Sequence, residues 1–255
     1  MKSSPADQDS RNAALKVASL ERALSVLKVF ETADEPIPLS HIATETGLYK
    51  STILRLLLSF EDFGYIRRTE EGLYALGPGV FRLGIRYRKQ FRLDAALNSV
   101  LRGLVAKGTE SASFHVREGE NRVCIARVDS NHPTLDRVAV GDVRPLAFGA
   151  AGKVIRAFGG AGESDPALDE VRRDRIAISY GEVDPACWAI ASPVFSISGR
   201  LLGALSLSGP KERFTDEAVA MMRTLLIEAA QELSEMAIAD DVIASDRPFR
   251  VIVRN

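Results

Sequence analysis

The sequence predicts an α+β protein with a mainly helical N-terminal domain and a C-terminal domain in which helices pack on one antiparallel sheet. Three observations support this fold class. Two amphipathic helical patterns joined by a short turn occupy residues 39–62, and a hairpin-like basic stretch follows at 63–76. Beyond residue 108, strand-like runs alternate with segments of helical periodicity. The change of pattern predicts two domains joined by a helical connector.

Composition and charge narrow the classes of protein. The 255 residues contain 33 Lys and Arg against 34 Asp and Glu, and the sequence pI is about 6.4, so a nucleic-acid surface would have to be a local patch. Cys124 and Cys187 cannot form a disulfide framework, no Cys/His cluster has zinc spacing, and we expect no metal or cofactor. No run approaches the roughly 20 apolar residues of a membrane span. With no signal-peptide core at the N-terminus, we expect a cytoplasmic protein without membrane contact.

Changes in sequence pattern divide the chain into five segments. We predict a disordered arm at 1–17, a first domain at 18–80, a connector helix at 81–95, a second domain at 96–240 and a tail at 241–255. The first domain opens with a helix for which Ser19 is the expected N-cap. Its apolar residues recur at intervals of three and four, and they are Leu20, Ala23, Leu24, Leu27 and Phe30.

A helix–turn–helix pattern follows at residues 39–62. Ser40 is the expected N-cap of the first helix, Ile42 and Ala43 face inward, and Gly47 stands where a helix ends in the left-handed conformation. After the turn residue Leu48, apolar residues at helical spacing form the buried face of a second helix. These residues are Ile53, Leu56, Leu57 and Phe60.

The second helix carries a polar and cationic stripe on its other face. The stripe consists of Lys50, Ser51, Thr52, Arg55 and Ser59. No carboxylate occurs between Glu45 and Glu61, as expected of a surface that lies against phosphates. An ordinary helical corner with a solvated face has the same pattern, so the helix pair alone leaves both interpretations open.

The residues after this helix favour DNA binding. An extended run begins at Phe63, Arg67 and Arg68 follow, a turn falls at 70–72, and a second extended run occupies 73–76. A basic hairpin directly after such a helix is the order found in a winged helix–turn–helix. In that motif the helix enters the major groove and the wing lies on the DNA backbone.

Residues 77–108 are mostly helical in pattern and begin with a Pro-Gly break. Five cations lie within about three turns, namely Arg82, Arg86, Arg88, Lys89 and Arg92. They fit either a solvated linker with snorkelling side chains or a connector that also contacts the DNA backbone or a second subunit. We favour the connector.

The second domain mixes strands and helices. Strands are predicted at 113–117, 122–128, 189–195 and 201–208, with a further one around 135–140, and helices at 146–158 and 166–175. Thr215 is the expected N-cap of a long last helix. Its apolar face consists of Val219, Met222, Leu226, Ala229, Leu233 and Met236.

The sequence contains no complete phosphate-loop or catalytic motif. The segment GAAGK at 149–153 resembles a phosphate loop, but Ala147 replaces the first Gly and Val154 stands where Ser or Thr would bind magnesium. It is better interpreted as a helix start whose free N–H groups can hold an anion. No G-x-S-x-G elbow or paired-carboxylate pattern occurs, and the only imidazoles are His41, His115 and His132.

Six motifs in order resemble the IclR family of bacterial transcriptional regulators. They are SLERALSVLKVF, LSHIATETGLYKSTILRLL, GYI with YALG, PLAFGAAGK, IASPVF and ALSLSGPKERFT. The resemblance covers roughly Val17 to Met236. The resemblance implies a GAF-like effector-binding C-terminal domain, and a homodimer or dimer of dimers on a palindromic operator in double-stranded DNA. It also implies a response to a small organic or aromatic acid. Ala186 and Phe148 depart from the family's pattern near the expected pocket, so the ligand's identity does not transfer.

The same resemblance assigns residues to two sites. The DNA contacts would be Lys50, Ser51, Thr52 and Arg55 on the second helix and Arg67 and Arg68 on the wing. The effector pocket would be lined by Gly149, Ala150, Glu182, Cys187, Ala189, Ser206 and Ser208. There the helix N-terminus and the Ser206 hydroxyl would suit a carboxylate, and Trp188 would either stack on an aromatic ligand or belong to the core.

Two alternatives come from other functional classes. One is a GAF-like small-molecule-binding enzyme with an incidental helical N-terminal domain, and the other is a pure interaction module. The enzyme lacks a nucleophile–base pair in this sequence, and an interaction module would not need a carboxylate-free helix beside a basic wing. A regulator that binds both DNA and a small molecule therefore fits best, with repression and activation equally open.

Overall fold

The computed structural model describes residues 17–90, 94–130, 138–160, 165–196 and 198–236, so the predicted arm (apart from Val17) and tail lie outside the described residues. The chain divides into two compact units, Met1–Tyr87 and Arg88–Asn255. The division falls within the helix that the sequence predicts as a connector.

The N-terminal unit is a winged helix–turn–helix, as predicted. Its elements in chain order are α1 (Ala18–Lys28), a 3₁₀ turn (Val29–Glu31), α2 (Leu39–Thr46), α3 (Lys50–Asp62), β1 (Ile66–Arg68) and β2 (Tyr74–Leu76), followed by α4 (Pro78–Gln90). The hairpin is antiparallel, and Ile66 pairs with Leu76. Its turn at 70–72 also agrees with the prediction.

A small apolar core joins these elements. Its buried members are Val26, Phe30, Ile42, Ile53, Leu57, Ile66 and Tyr74. Two residues of the apolar pattern predicted for α1, Leu20 and Leu24, are instead more than half exposed. The reason is geometric, because α1 turns Val26 toward the other helices and thereby leaves the Leu20 and Leu24 side outside the core.

The helix ends are only partly as predicted. Gly47 ends α2 with φ 66°, the left-handed conformation that a glycine adopts without a Cβ clash. Both predicted serine caps are wrong, since α1 starts after Val17 and α2 after Pro38, with Ser19 and Ser40 already inside the first turns. Neither helix has a side-chain cap. At Pro38 the ring fixes φ near −78°, which starts the helix two residues earlier than expected.

Main-chain hydrogen bonds hold the hairpin against the segment that precedes α2. The N–H of Ile37 donates to the Tyr74 carbonyl and the N–H of Tyr74 to the Ile37 carbonyl, each at 2.8 Å. After β2, Gly77 and Gly79 approach the Gly64 carbonyl so closely that a Cβ would lie 2.4 and 2.6 Å from its oxygen. These glycines therefore allow the backbone of the turn before β1 to pack directly on the start of α4.

In the described residues of the C-terminal unit, four helices accompany a six-stranded antiparallel sheet. Its elements are α5 (Asp94–Ala106), β3 (Ser111–Glu118), β4 (Asn121–Asp129), β5 (Val143–Pro145), α6 (Ala150–Phe158), α7 (Pro166–Asp174), β6 (Ala177–Tyr180), β7 (Cys187–Phe195), β8 (Leu201–Pro210), a 3₁₀ turn (Lys211–Arg213) and α8 (Asp216–Met236). The strand order is β5-β4-β3-β8-β7-β6. The predicted α+β class is confirmed.

Helices cover both faces of this sheet. One core lies between the sheet and the pair α5 and α8, and a second lies between the sheet and the pair α6 and α7. Because strand side chains alternate between faces, β3 places Ala112 and Phe114 in the first core. Its Ser113 and His115 point to the other face, so the sheet presents a polar surface toward the start of α6.

Several boundaries differ from the predictions. Helix α6 begins at Ala150 and not at Leu146, because Gly149 has φ 83° and ψ 159°, which no helix accommodates. The strand predicted around 135–140 lies mostly outside the described residues, and its described end at 138–140 belongs to no strand. A short strand occurs at β5 instead. Strand β6 was not predicted, since four residues give too little alternation to recognise.

The last helix begins as predicted. The N–H of Ala218 donates to the Thr215 Oγ1 at 3.2 Å, which is the expected side-chain cap. Met222, Leu226, Ala229 and Leu233 are buried, whereas Met236 at the end of the apolar face is exposed.

Candidate nucleic-acid interface and ligand cavity

Helix α3 presents most of its predicted stripe to solvent. Lys50, Ser51 and Arg55 are exposed, and Thr52 is half-buried. The outer face also carries Leu54 and Leu58, which are 40% and 60% exposed. The surface is therefore cationic at its N-terminal half but less uniformly polar than the sequence pattern indicated.

The electrostatics of this surface suit an anionic partner. Within the described residues, Lys50, Arg55 and Arg67 form no ion pair with a carboxylate. The residue before α3, Tyr49, makes no side-chain cap, so N–H groups of the first turn remain able to donate to an anion. Tyr49 itself is 84% exposed, and its phenol adds a hydrogen-bonding group that sequence reasoning did not single out.

The two wing arginines differ in their surroundings. Arg67 and Arg68 are consecutive in β1 and therefore point to opposite faces of the hairpin. The Arg68 guanidinium lies over the ring of Tyr74, 5.7 Å from its centroid. Arg68 thus packs on the wing, whereas Arg67 extends from the other face.

A small cavity lies where the polar sheet face meets the start of α6. Its volume is about 60 Å³. Its lining comes from five strands (β3, β4, β6, β7 and β8), the helix start, the loop before β7 and the segment before β5. It comprises Ser113, His115, Arg122, Val138, Gly149, Ala150, Ala151, Ser179, Val183, Asp184, Cys187, Trp188, Ala189, Ser206 and Ser208. Most of the polar residues among these are buried.

Six of the seven residues assigned to the effector pocket line this one cavity. They are Gly149, Ala150, Cys187, Ala189, Ser206 and Ser208. The seventh, Glu182, lies at its edge and is not part of the lining. Its Oε2 accepts the Gly149 N–H at 3.0 Å, and its Oε1 accepts from the Lys153 ammonium. The helix N–H expected to be free for a ligand is therefore already hydrogen-bonded to the protein's own carboxylate.

This contact sets the ionisation of Glu182. Burial raises the pKa of its carboxyl, but the hydrogen bonds from Lys153 and the Gly149 N–H, together with the positive charges of Lys153 and Arg122, outweigh that effect. The pKa of Glu182 consequently lies below its ordinary value, and the side chain is an anion at neutral pH.

Arg122 is a lining residue that the sequence interpretation missed. It is 5% exposed, and its Nη1 donates to the carbonyls of Pro145 and Phe148, each at 2.6 Å. It therefore holds the loop that leads into α6. No local signal identifies this arginine, because its position inside the cavity depends on β4 pairing with β5 and packing below α6.

The remaining polar lining did leave a signal in the sequence. Ser111, Ser113 and His115 alternate along β3, and Ser206 and Ser208 alternate along β8. The two strands pair so that Ser113 lies opposite Ser206, and the Ser113 Oγ is 2.9 Å from the His115 Nε2. Polar residues at a period of two on otherwise apolar strands mark a buried polar face.

A larger groove of about 680 Å³ lies elsewhere in the C-terminal unit and contains none of the predicted residues. Its two arginines are engaged with the protein, since Arg156 pairs with Asp165 and Arg117 donates to the Gly159 carbonyl. The smaller cavity is the better candidate site, because buried polar groups from several elements converge there.

Comparison with known proteins identifies the architecture. Residues 19–70 match the model of the IclR helix-turn-helix domain, and residues 165–235 match that of the bacterial transcriptional regulator IclR C-terminal domain. The chain belongs to the IclR family. A curated member of the family, the transcriptional repressor IclR of Escherichia coli, is 24% identical over 245 residues, which cover 86% of this chain and 89% of that protein.

Solved IclR-family structures share the fold. A transcriptional regulator of Silicibacter sp. TM1040 superposes with a TM-score of 0.77 at 24% identity, covering 86% of this chain and 96% of the other. An IclR homologue of Microbacterium hydrocarbonoxydans, crystallised with 4-hydroxybenzoate, has a TM-score of 0.71 at 19% identity, covering 86% and 98%.

Membership in the IclR family makes the protein a transcriptional regulator with a DNA-binding helix–turn–helix, and its curated relatives are regulators and not enzymes. In the part of the chain that the structure describes, no helix is both long and apolar enough to cross a bilayer. The same residues contain no group of three or more His, Cys, Asp and Glu side chains arranged to hold a metal ion.

Proposed function

We propose that this IclR-family protein is a cytoplasmic, ligand-responsive regulator that binds a palindromic operator as a homodimer or dimer of dimers and senses a small organic acid. The observation that carries the DNA-binding part is the outer face of α3. It exposes Lys50 and Arg55 with no carboxylate partner among the described residues, and Arg67 stands on the wing that follows.

Base recognition is assigned to α3. Lys50, Ser51 and Thr52 at its N-terminal end reach base edges in the major groove, where hydroxyls and ammonium groups find both donors and acceptors. Arg55, one turn further along the same face, is assigned a contact to guanine through two hydrogen bonds. Such a contact contributes about 1–3 kcal/mol of discrimination against other bases.

The wing is assigned to the DNA backbone. Arg67 extends from the hairpin and neutralises a phosphate, which contributes affinity without base preference. Arg68 lies over Tyr74 and therefore supports the wing's shape as well as its charge.

A mobility-shift assay on the protein's own upstream DNA tests this assignment. Arg55→Ala should relax base preference at one position of each half-site, whereas Arg67→Ala should weaken all sequences alike and lower the slope of log affinity against log salt by about 1. Arg173→Ala, which removes an exposed arginine of the C-terminal unit, is the matched control and should change neither. If Arg55→Ala leaves both affinity and base preference unchanged, the assignment of α3 is wrong.

The operator follows from symmetry. In a two-fold dimer, the two copies of α3 read half-sites about 34 Å apart, or a multiple of that distance. Footprinting combined with sedimentation of the protein–DNA complex measures both the spacing and the number of chains. A single unrepeated half-site occupied by one chain would contradict the dimeric arrangement.

Sensing is assigned to the cavity at the start of α6. Buried hydroxyls, an imidazole and a guanidinium converge there, which is the donor set that a carboxylate requires. The 4-hydroxybenzoate complex of the Microbacterium relative supports an organic acid as the class of ligand. A ligand shifts DNA binding only through its different affinity for the DNA-binding and non-binding states.

The same mobility-shift assay, repeated with a panel of organic acids, tests the sensing function. Fluorescence of Trp188, the only tryptophan and a lining residue, reports occupancy of the cavity directly. An acid that changes both the mobility shift and the Trp188 fluorescence supports the proposal. The direction of its effect on the mobility shift distinguishes a ligand that releases the protein from DNA from one that strengthens DNA binding. An unchanged shift and fluorescence with every acid would refute the sensing function while leaving DNA binding intact.

A further inference from the structure

The outer face of α3 carries a short apolar row among its polar residues. Leu54 and Leu58 are 40% and 60% exposed. Residues four apart on a helix are neighbours, so these two side chains form one row that starts at Lys50. Neither leucine belongs to the small apolar core of the N-terminal unit, to which α3 contributes Ile53 and Leu57. Packing inside that unit therefore does not account for the row.

The groups around Leu54 are polar or cationic. Lys50 and Ser51 precede it by four and three residues on the same side of α3, Arg55 follows it directly, and all three are exposed. No Asp or Glu occurs from residue 46 to residue 60. The core of a protein–protein interface is depleted of charged residues, and of lysine in particular. An apolar side chain enclosed by cations and a hydroxyl therefore suits DNA better than the apolar surface of a second protein.

The major groove offers a leucine one specific partner. A leucine side chain has no hydrogen-bonding atom, so it cannot contact the donors and acceptors that distinguish most base edges. The C5-methyl group of thymine is the apolar group that unmodified DNA presents in the major groove. A leucine on the DNA-contacting face of α3 thus favours a T·A base pair.

Leu54 is better placed for this contact than Leu58. Base edges are contacted mainly by the N-terminal residues of a recognition helix, and these leucines are the fifth and ninth residues of α3. Leu58 also lies three and four residues before Glu61 and Asp62. Two carboxylates in the last turn disfavour a close approach of that end of the helix to phosphates.

We propose that Leu54 contacts the C5-methyl group of a thymine in each half-site of the operator. The inference rests on the proposed assignment of α3 to the major groove, and it adds one base pair and the residue that selects it. Because adjacent helical residues differ by only about 1.5 Å along the axis, this thymine lies within about two base pairs of the position contacted by Arg55.

The experiment removes the methyl group from the DNA. The operator is located by footprinting, and each thymine of a half-site is replaced in turn by deoxyuridine, which lacks the methyl group and keeps every hydrogen-bonding group of the base. Mobility shift with the full-length protein then measures each affinity. We expect one replacement to weaken binding about three- to fivefold, the factor that corresponds to burying one methyl group.

Three variants assign this loss to one side chain. With Leu54→Ala, the thymine and deoxyuridine operators should bind with equal affinity, because the contact to the methyl group is already absent. Leu54→Met keeps an apolar side chain of similar volume and should retain most of the difference. Ile227→Ala, the control, removes an equally exposed apolar side chain from α8 of the C-terminal unit and should retain all of it. Each comparison uses one protein on two DNAs, so altered stability of a variant cancels.

Two results overturn the inference. One is that no single deoxyuridine weakens binding of the wild type. The other is that the loss persists undiminished in Leu54→Ala, in which case the methyl group acts through DNA shape or through another residue. The proposed function fails separately. If Arg55→Ala changes neither affinity nor base preference, the assignment of α3 is wrong, whereas an altered preference in Arg55→Ala beside a flat deoxyuridine scan removes only the role of Leu54.

Discussion

Replacing Gly152 by alanine tests the close packing at the start of α6. Gly152 is the third residue of that helix, and a Cβ there would lie 2.4 Å from the Leu146 carbonyl oxygen and 3.1 Å from the Arg122 Nη1. The first contact is with backbone, so no side-chain rotation relieves it. Either the loop at 146–149 or the helix start must move.

Two opposing terms decide the magnitude. Alanine in place of glycine inside a helix favours folding by about 1 kcal/mol. Inserting a methyl group into a packed interior costs about 1–3 kcal/mol, and the 2.4 Å approach to backbone places Gly152 at the upper end of that range. We therefore expect Gly152→Ala to lower the free energy of unfolding of the C-terminal unit by about 2 kcal/mol.

The assay is urea unfolding followed by Trp188 fluorescence, which reports only on the C-terminal unit because the chain has no other tryptophan. Gly103→Ala in α5 is the matched control, since a Cβ at this exposed helical position has no heavy atom within 4 Å. The control should stabilise the unit by about 0.5–1 kcal/mol. If the two variants change stability equally and in the same direction, close packing of α6 on the loop at 146–149 is not the reason that position 152 requires glycine.

Two further predictions concern other residues that the fold depends on. Gly47→Ala should destabilise the N-terminal unit by about 1–2 kcal/mol, because φ is 66° there and a Cβ disfavours that conformation. Thermal unfolding followed by far-UV circular dichroism measures this loss of stability. An unchanged stability would contradict the role of Gly47 at the end of α2. Glu182→Gln should lower stability at pH 7, where the carboxylate with its lowered pKa is ionised. Urea unfolding at several pH values measures the difference in stability between this variant and the wild type. The difference should disappear as the pH falls below 4.5, the ordinary pKa of a glutamate, and through the lower pKa of Glu182 in the folded protein. A difference that does not change with pH would contradict the ionic contact.

The helix–turn–helix could be predicted because its determinants are local. Gly47 and the helical spacing of Ile53 and Leu57 act within a few residues, so the chain specifies them without tertiary information. The serine caps failed for a similarly local reason. Ser40 has the right chemistry for a cap, but Pro38 already fixes the backbone that starts α2, and the helix includes Ser40 in its first turn.

The cavity could be predicted only in part, because long-range pairing assembles it. Six lining residues followed from the family resemblance, but Arg122 was not among the residues that it implied and reaches the cavity through packing below α6. The pairing of β3 with β8 joins residues about a hundred positions apart, such as Ser111 and Ser208, whose hydroxyls are 3.0 Å from each other. Sequence periodicity shows that each strand has a polar face and does not show which faces meet.

Arg122 connects the cavity to the start of α6, which bears on how a ligand could alter the protein. Arg122 both lines the cavity and donates to the carbonyls of Pro145 and Phe148. A carboxylate bound in the cavity adds a negative charge beside this guanidinium and so competes with the two carbonyls for it. The loop that these two bonds hold leads into α6, so we expect a bound ligand to change the stability of that helix start. A ligand that binds one arrangement of the helix start more tightly than another shifts the protein between the two, which is what regulation requires.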